Sequence, residues 1–216
     1  MKPADDPAVD YRKLVRDGYD RCAPAFAAAR AAEEQPGLEL LLPRLAPGSR
    51  VLDLGCGSGV PVAARLAREH AVTGVDFSSA QLSLARANVP SARFVESDLM
   101  AVDFAPASFD AIVSFYAIFH LPREEHGELL QRIGRWLAPG GFLLVTVTPF
   151  REAAYTEEDF FGVRMYWSNW GLEDYERMAC EAGLKILRAG ALGHGYGDHA
   201  KRRIELHPLL FAWKPL

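Results

Sequence analysis

The residues best suited to chemistry in this sequence stand at intervals behind short apolar runs. Val51 to Gly59 reads VLDLGCGSG, an apolar run that carries an acid, Asp53, and stops in three alternating glycines, Gly55, Gly57 and Gly59. Glycines so spaced permit a tight turn, and without Cβ atoms they let a ligand come against the main chain. Asp76 closes the next apolar run, Asp98 stands just past a third, and Ser114 to His120 follows a fourth. An acid about twenty residues beyond a glycine turn is placed to accept two parallel O–H donors from a ribose diol. Taken alone, Asp76 also reads as a helix N-cap or a surface charge. By the same logic Asp98 is placed to receive an adenine amino group, with Leu99 giving a backbone contact.

The glycine spacing discriminates among nucleotides. Dinucleotide folds use G-x-G-x-x-G beside a pyrophosphate, whereas here G-x-G-x-G is followed by Val60 and Pro61. G-x-x-x-x-G-K-[ST] is absent, and with it a triphosphate cradle. The turn therefore favours an adenosyl ligand without phosphates. An NAD(P)-dependent reductase shares the strand, glycine loop and acid, but the spacing and Asp98 disfavour it.

These residues need elements to hold them. Val51 onward reads as a buried strand, Pro61 to Glu69 as a helix aiming its first N–H groups at the turn, and Ala71 to Val75 as a second strand. Ser78 and Ser79 are cap candidates for a helix to about Asn88. Ala92 to Val95 and Phe109 to Phe115 read as strands. Arg123 to Leu137 reads as a helix stopped by Pro139-Gly140-Gly141, and Phe142 to Thr148 as a fifth strand. Strands alternating with helices of this length imply right-handed crossovers and a parallel sheet, hence a doubly wound α/β fold. In such a sheet the ligand sits outside the carboxyl ends of the strands, where strand order reverses. All four polar features fall at such ends.

Upstream, residues from about Ala8 to Leu45 read as two amphipathic helices punctuated at Pro24 and at Pro36-Gly37. They cover a sheet face, or Tyr11 and Tyr19 help form a lid over the ligand. Downstream, Pro149 to Trp170 is aromatic and irregular, Leu172 to Ala182 helical, Leu184 to Arg188 strand-like, and Glu205 to Trp213 a final strand. The glycine-rich GALGHGYGDHAKRR between the last two is a functional or mobile loop. The whole, 1–216, reads as a single domain: 1–47 a helical lid, 48–148 a cofactor-binding core, and 149–216 an acceptor-side cap with the final strands.

Composition narrows the classes. With 216 residues, half of them hydrophobic, and a net charge of −4, the chain reads as a soluble globular protein without a broad electrostatic grip on nucleic acid or an anionic membrane. The basic run Lys201-Arg202-Arg203 is short enough to be a solvated loop end. The N-terminus lacks a signal-peptide core and no apolar run is long enough to span a bilayer. Three distant cysteines, Cys22, Cys56 and Cys180, read as reduced thiols in a cytoplasmic protein rather than a disulfide or zinc set, so no metal is expected; separately, the expected assembly is a monomer or homodimer.

VLDLGCGSG, VTGVDFS, ARFVESDL, FDAIVSFYAIFHLP and LAPGGFLLVTV, in that order and spacing, resemble the successive motifs of class I S-adenosylmethionine-dependent methyltransferases, specifically the small-molecule group. The match covers about residues 48 to 148. YDRCAPAF and MYWSNWGLEDYERMACEAGLK resemble the flanking regions of that group. The resemblance implies a seven-stranded, mostly parallel sheet with an antiparallel last strand, with S-adenosyl-L-methionine as methyl donor and S-adenosyl-L-homocysteine as product. It implies Asp53, Gly55 and Gly57 around the methionine part, with Gly59 completing the turn. Asp76 would hold the ribose with Phe77 against the adenine, Asp98 and Leu99 the adenine edge, and Ser114 and Phe115 the other side of the crevice. Tyr19 would reach the carboxylate end.

In-line displacement at a sulfonium depends mainly on orientation, so a general base helps without being compulsory. His120 is the first candidate for base or substrate contact, with a structural histidine as its plain alternative. His194, His199 and His207 cluster late in the chain near Asp198, and a His–Asp pair can tune a base; a metal there is disfavoured. Tyr155, Phe160, Phe161, Tyr166, Trp167 and Trp170, with Tyr11 from the lid, are candidate walls of an acceptor pocket or else a satellite core. The expected reaction is methyl transfer to an O or N atom of a small apolar or aromatic molecule. No Asn-Pro-Pro-aromatic segment follows the fourth strand, which removes the usual support for a DNA or protein amide acceptor. The alternative is a protein of the same fold that binds the cofactor without transferring methyl.

Overall fold

The computed structural model describes residues 2–3, 10–31, 37–190, 195–198 and 203–216. In chain order the first half holds β1 (Lys2–Pro3), α1 (Tyr11–Ala31), α2 (Leu38–Leu41), β2 (Arg50–Leu54), α3 (Val62–Leu66), β3 (Ala71–Asp76), α4 (Ser79–Asn88), β4 (Arg93–Glu96) and β5 (Phe109–Ser114). The second holds α5 (His126–Trp136), β6 (Leu137–Thr146), β7 (Glu152–Phe160), β8 (Val163–Asn169), α6 (Leu172–Glu181), β9 (Lys185–Gly190), β10 (Gly195–Asp198), β11 (Arg203–Leu206) and β12 (Leu209–Trp213).

The main sheet has seven strands in the order β4-β3-β2-β5-β6-β12-β9. β4, β3, β2, β5 and β6 are parallel, and β12 runs antiparallel to both β6 and β9. This is the doubly wound, mostly parallel fold expected from the alternating runs. Strand order reverses between β2 and β5, which opens a crevice at their carboxyl ends.

Alternation along each strand divides the core. Leu52, Leu54, Ile112, Leu143 and Val145 turn to one face, where Leu129, Ile133 and Trp136 of α5 and Tyr175 and Ala179 of α6 cover them. Val51, Ala111, Val113 and Leu144 turn to the other, against Leu38 and Leu41 of α2 and Val62, Ala63 and Leu66 of α3. Buried on both faces, these strands read as near-continuous apolar runs.

Four local expectations are corrected. α1 passes through Pro24 without breaking. The ring removes one backbone donor, but tertiary contacts hold the helix before Pro24 and, through Arg30 on Tyr116, after it. Asp20 accepts from the Ser78 hydroxyl at 2.6 Å and the Ala80 N–H at 3.1 Å, and Val15 and Cys22 pack on Val163, Met165 and Tyr166. α3 is only five residues long, so the turn relies on its own N–H groups rather than on a long helix behind it.

The aromatic stretch after β6 is no irregular or helical cap: β7 and β8 pair antiparallel as a hairpin with Phe160 opposite Val163. Phe161 and Gly162, at φ 52° and 78°, form a two-residue turn of the kind that matches strand twist. Finally, the last apolar run is divided between β11 and β12 at His207 and Pro208, as proline has no N–H for a ladder. Most of the glycine-rich loop, with His194 and His199, lies outside the described residues. Among the described residues no helix is long and apolar enough to cross a membrane.

Candidate active site

The crevice is a cavity of about 940 Å³ including its open mouth, walled by the ends of β2, β3 and β5, the segment after β4, and α1. Gly55 and Gly57 form its floor with φ of 73° and 52°. A Cβ on Gly55 would stand 2.2 Å from the Cβ of Ala117, so the turn closes only with glycine there. The Gly55 and Cys56 N–H groups donate to the Val75 carbonyl at 2.8 and 3.0 Å, fixing the turn to β3. Gly59 turns away from the cavity and packs close to Ala85 and Val89 of α4 and the chain beside it.

Asp76 ends β3 with its carboxylate across this turn. Its Oδ2 accepts from the Gly57 N–H and its Oδ1 from the Ser78 N–H, each at 2.9 Å. Burial pushes its carboxyl up to about 6, against the three backbone donors Ser78, Gly57 and Phe77 that favour the charged form. Asp53 is more isolated. It is 1% exposed, and its Oδ2 has no hydrogen-bond partner among the described residues. Burial, then the nearby Asp76 charge, pushes it up to about 7, while the Arg30 guanidinium pulls the other way.

Arg30 comes from the last turn of α1, 6% exposed, and its guanidinium lies 4.5 Å from the Tyr116 ring centre. Asp53 and Arg30 thus present an acid and a cation to the cavity, close enough for the guanidinium to act on the carboxyl. That pairing is complementary to the zwitterionic end of an amino acid. Phe77, Asp98 and Leu99 line the same cavity. Asp98 accepts from the Met100 N–H at 2.6 Å and from the Arg12 Nε at 3.0 Å. Arg12 also bonds Glu125, so α1 is fastened to the segments after β4 and before α5.

His120 lies in the wall on the short turn Ile118–His120. Its Nδ1 is 2.8 Å from the Tyr166 carbonyl, which only accepts, so that nitrogen carries the proton. Its Nε2 then accepts from the Tyr19 hydroxyl at 2.8 Å. Burial pushes the imidazole down to about 4. A neutral histidine with both nitrogens engaged joins α1 to β8 and orients Tyr19. Tyr116 holds a positive φ of 58°, unusual for a bulky residue, and its N–H donates to Thr146 Oγ1 at 2.5 Å.

The aromatics expected to wall an acceptor are placed behind the cavity instead. Tyr11 stacks on Tyr166 at 4.4 Å between centroids, Trp167 stacks on Tyr155 at 5.6 Å, and the Trp170 indole donates to the Arg123 carbonyl at 2.6 Å. None of Tyr11, Tyr166, Trp167 or Trp170 lines the cavity; Tyr19 and Phe26 of α1, with Phe115 and Tyr116 after β5, do. Ser114 is also outside the wall, its hydroxyl donating to the Leu54 carbonyl at 2.9 Å. His207 packs on Tyr116 and Phe119. His194 lies outside the described residues. Among the described residues no cluster of His, Cys, Asp and Glu could hold a metal ion.

Sequence reasoning missed Arg30, Arg12, Phe26, Tyr116 and Gln81 in this wall. One signal was present: Arg30 follows Phe26-Ala27-Ala28-Ala29, a lone cation ending an apolar helical turn.

A family model described as Methyltransferase domain matches residues 51–141. An uncharacterized methyltransferase of Bacillus licheniformis is 39% identical over 106 residues, 49% of this chain and 50% of its own length. A trans-aconitate 2-methyltransferase of Methylobacterium nodulans is 37% identical over 115 residues, 51% of this chain and 43% of its own. The chain thus spans about half the length of the curated relatives it matches. In fold it is similar to the 1,6-didemethyltoxoflavin-N1-methyltransferase of Burkholderia thailandensis, with a TM-score of 0.72 and 21% identity over 99% of this chain and 94% of that one.

Proposed function

We propose that the chain is a class I S-adenosylmethionine-dependent methyltransferase and that it methylates an O or N atom of a small apolar or aromatic molecule, a reading supported by the methyltransferase-domain match over residues 51–141. The observation that carries this reading is the junction, in one cavity, of the glycine turn, the Asp76 carboxylate, Asp53, Arg30 and an aromatic wall. When bound, the cofactor supplies a methyl group on a positively charged sulfur.

The chain's residues fit that group part by part. Asp76 accepts the ribose hydroxyls. Asp98 and the Leu99 backbone meet the adenine edge, with Phe77 against its face. Asp53 faces the amino-acid ammonium, Arg30 its carboxylate. Tyr19, Phe26, Phe115 and Tyr116 supply apolar and ring-face surface for the acceptor and keep water out, which favours alignment. His120 acts through Tyr19 as a positioning residue. α1 serves as the lid.

This assignment has separable consequences. Arg30→Met is expected to weaken S-adenosylhomocysteine binding about tenfold to a hundredfold, the worth of a charge-assisted pair. Binding of 5′-methylthioadenosine, which lacks the amino-acid end, should be unchanged. Calorimetric titration of both ligands checks this; equal losses for the two would assign Arg30 to the fold.

The raised Asp53 carboxyl gives a pH dependence with a definite sign. A carboxyl whose folded pKa is raised to about 7 stabilises the fold at acid pH and loses that contribution as pH rises through about 7. An incoming ammonium favours the ionised form, so S-adenosylhomocysteine should bind more tightly at about pH 8 than at about pH 6. Asp53→Asn should flatten that slope, and an unaltered slope in this variant would assign the titration elsewhere.

The reaction is tested by incubating the protein with S-adenosylmethionine and a panel of small phenols, carboxylic acids and heteroaromatic amines, with S-adenosylhomocysteine release as readout. Acceptor-dependent release is expected. Tight cofactor binding with no release from any acceptor would favour a non-transferring protein of the same fold.

A further inference from the structure

Gln81 lies in the first turn of α4, where its own N–H donates to the Ser78 Oγ at 3.2 Å. Its side chain is 1% exposed, and neither Oε1 nor Nε2 has a hydrogen-bond partner among the described residues. A primary amide brings two donors and an acceptor oxygen, and leaving them unmade in the interior is destabilising. The position has no packing need for an amide: the adjacent Leu82 and Ala85 fill the core beside Cys56 and Phe94. Yet Gln81 lines the cavity, so its unmet polar atoms adjoin a space that can hold a ligand.

The surroundings say which part of a ligand. A Cβ on Gly57 would stand 3.7 Å from Gln81 Oε1, so the amide lies directly beside the glycine turn. The Gly57 N–H itself donates to Asp76 Oδ2. The amide therefore shares the turn with the carboxylate assigned to the ribose diol. A carboxylate only accepts hydrogen bonds, and a hydroxyl that donates to it keeps lone pairs that need a donor. Nε2 is a buried donor in position to meet them.

We propose that Gln81 reads the cofactor's ribose jointly with Asp76, its amide N–H donating to a hydroxyl oxygen whose proton Asp76 accepts. The inference rests on the reading that this cavity takes an adenosyl cofactor. It makes Gln81 a residue retained for specificity at the expense of stability.

The test uses Gln81→Leu and Gln81→Met, of similar volume and without the amide. Thermal unfolding of the unliganded proteins is measured together with calorimetric titration of S-adenosylhomocysteine and of its 2′-deoxy and 3′-deoxy ribose analogues. The variants are expected to unfold at a temperature no lower than the wild type and to bind S-adenosylhomocysteine about tenfold or more weakly. The wild-type preference for the intact ribose over one deoxy analogue should shrink by a similar factor in both. Variants that bind as tightly as the wild type, or bind weakly with that preference intact, would overturn the proposal. Absence of S-adenosylhomocysteine binding by the wild type would instead overturn the cofactor reading beneath it.

Discussion

Asp76→Asn is expected to weaken S-adenosylhomocysteine binding by roughly two orders of magnitude or more. Two effects act together. A ribose diol donating to a carboxylate makes two charge-assisted bonds, each about twice as strong as a neutral one, and asparagine offers one acceptor oxygen. The second effect lies in the protein. Both Asp76 oxygens already accept a backbone N–H, from Gly57 and Ser78 at 2.9 Å. An asparagine NH₂ would face one of these donors with a donor of its own, so either the glycine turn or the start of α4 loses its anchor.

Titration calorimetry checks the binding, and a chemical denaturation curve separates loss of the site from loss of the fold. A variant that binds within about threefold of the wild type would remove Asp76 from the ribose. An ionised Asp76 is also the species a ligand hydroxyl meets best. Because burial raises its carboxyl to about 6, affinity should decline as pH falls below that value.

Gly55→Ala should be the most damaging of the glycine-to-alanine changes among the described residues. The residue's φ of 73° costs a non-glycine residue about 1–2 kcal/mol. In addition the new Cβ would stand 2.2 Å from the Ala117 Cβ, a contact that neither partner can relieve by a rotamer change. Overpacking of this kind typically adds about 1–3 kcal/mol, for a total of about 2–5 kcal/mol. Gly48→Ala is the matched control: its φ is 79° with nothing within 4 Å of the added Cβ, so only the backbone strain applies. Urea unfolding should show the first variant clearly less stable than the second. Ligand titration should show loss of cofactor binding in the first alone, since moving Ala117 shifts the segment between Tyr116 and His120 that lines the cavity.

The sheet and the acids that line the cavity were legible because their signals are local. Each strand is a short apolar run closed by glycine, proline or an acid, and topology brings the run ends together whatever the side chains do in detail. Asp53, Asp76 and Asp98 could be named because an acid at a strand end is visible without knowing what packs beside it. Which rings line the cavity was not legible, for a physical reason. Tyr166, Trp167 and Trp170 lie on or just beyond β8 and pack on α1 or α5-side residues, and whether such a ring faces a cavity or a helix is decided by tertiary packing.

The hairpin itself was missed because Glu152 to Phe160 is rich in glutamate and alanine, poor strand formers, and its turn is Phe-Gly rather than Asn-Gly. Arg30 was missed because its role depends on α1 running unbroken through Pro24. A break there would have carried Arg30 away from Asp53. His120 was visible, but its tautomer was not: that follows from the Tyr166 carbonyl, 46 positions away.

Calorimetric titration of the unmodified protein with S-adenosylhomocysteine and, separately, with NADH tests the central claim most directly. Saturable one-to-one binding of S-adenosylhomocysteine, lost in Asp76→Asn, with no heat from NADH, is the predicted result. Binding of NADH with none of S-adenosylhomocysteine would contradict it, because the same glycine turn and acid would then be serving a phosphate-bearing ligand.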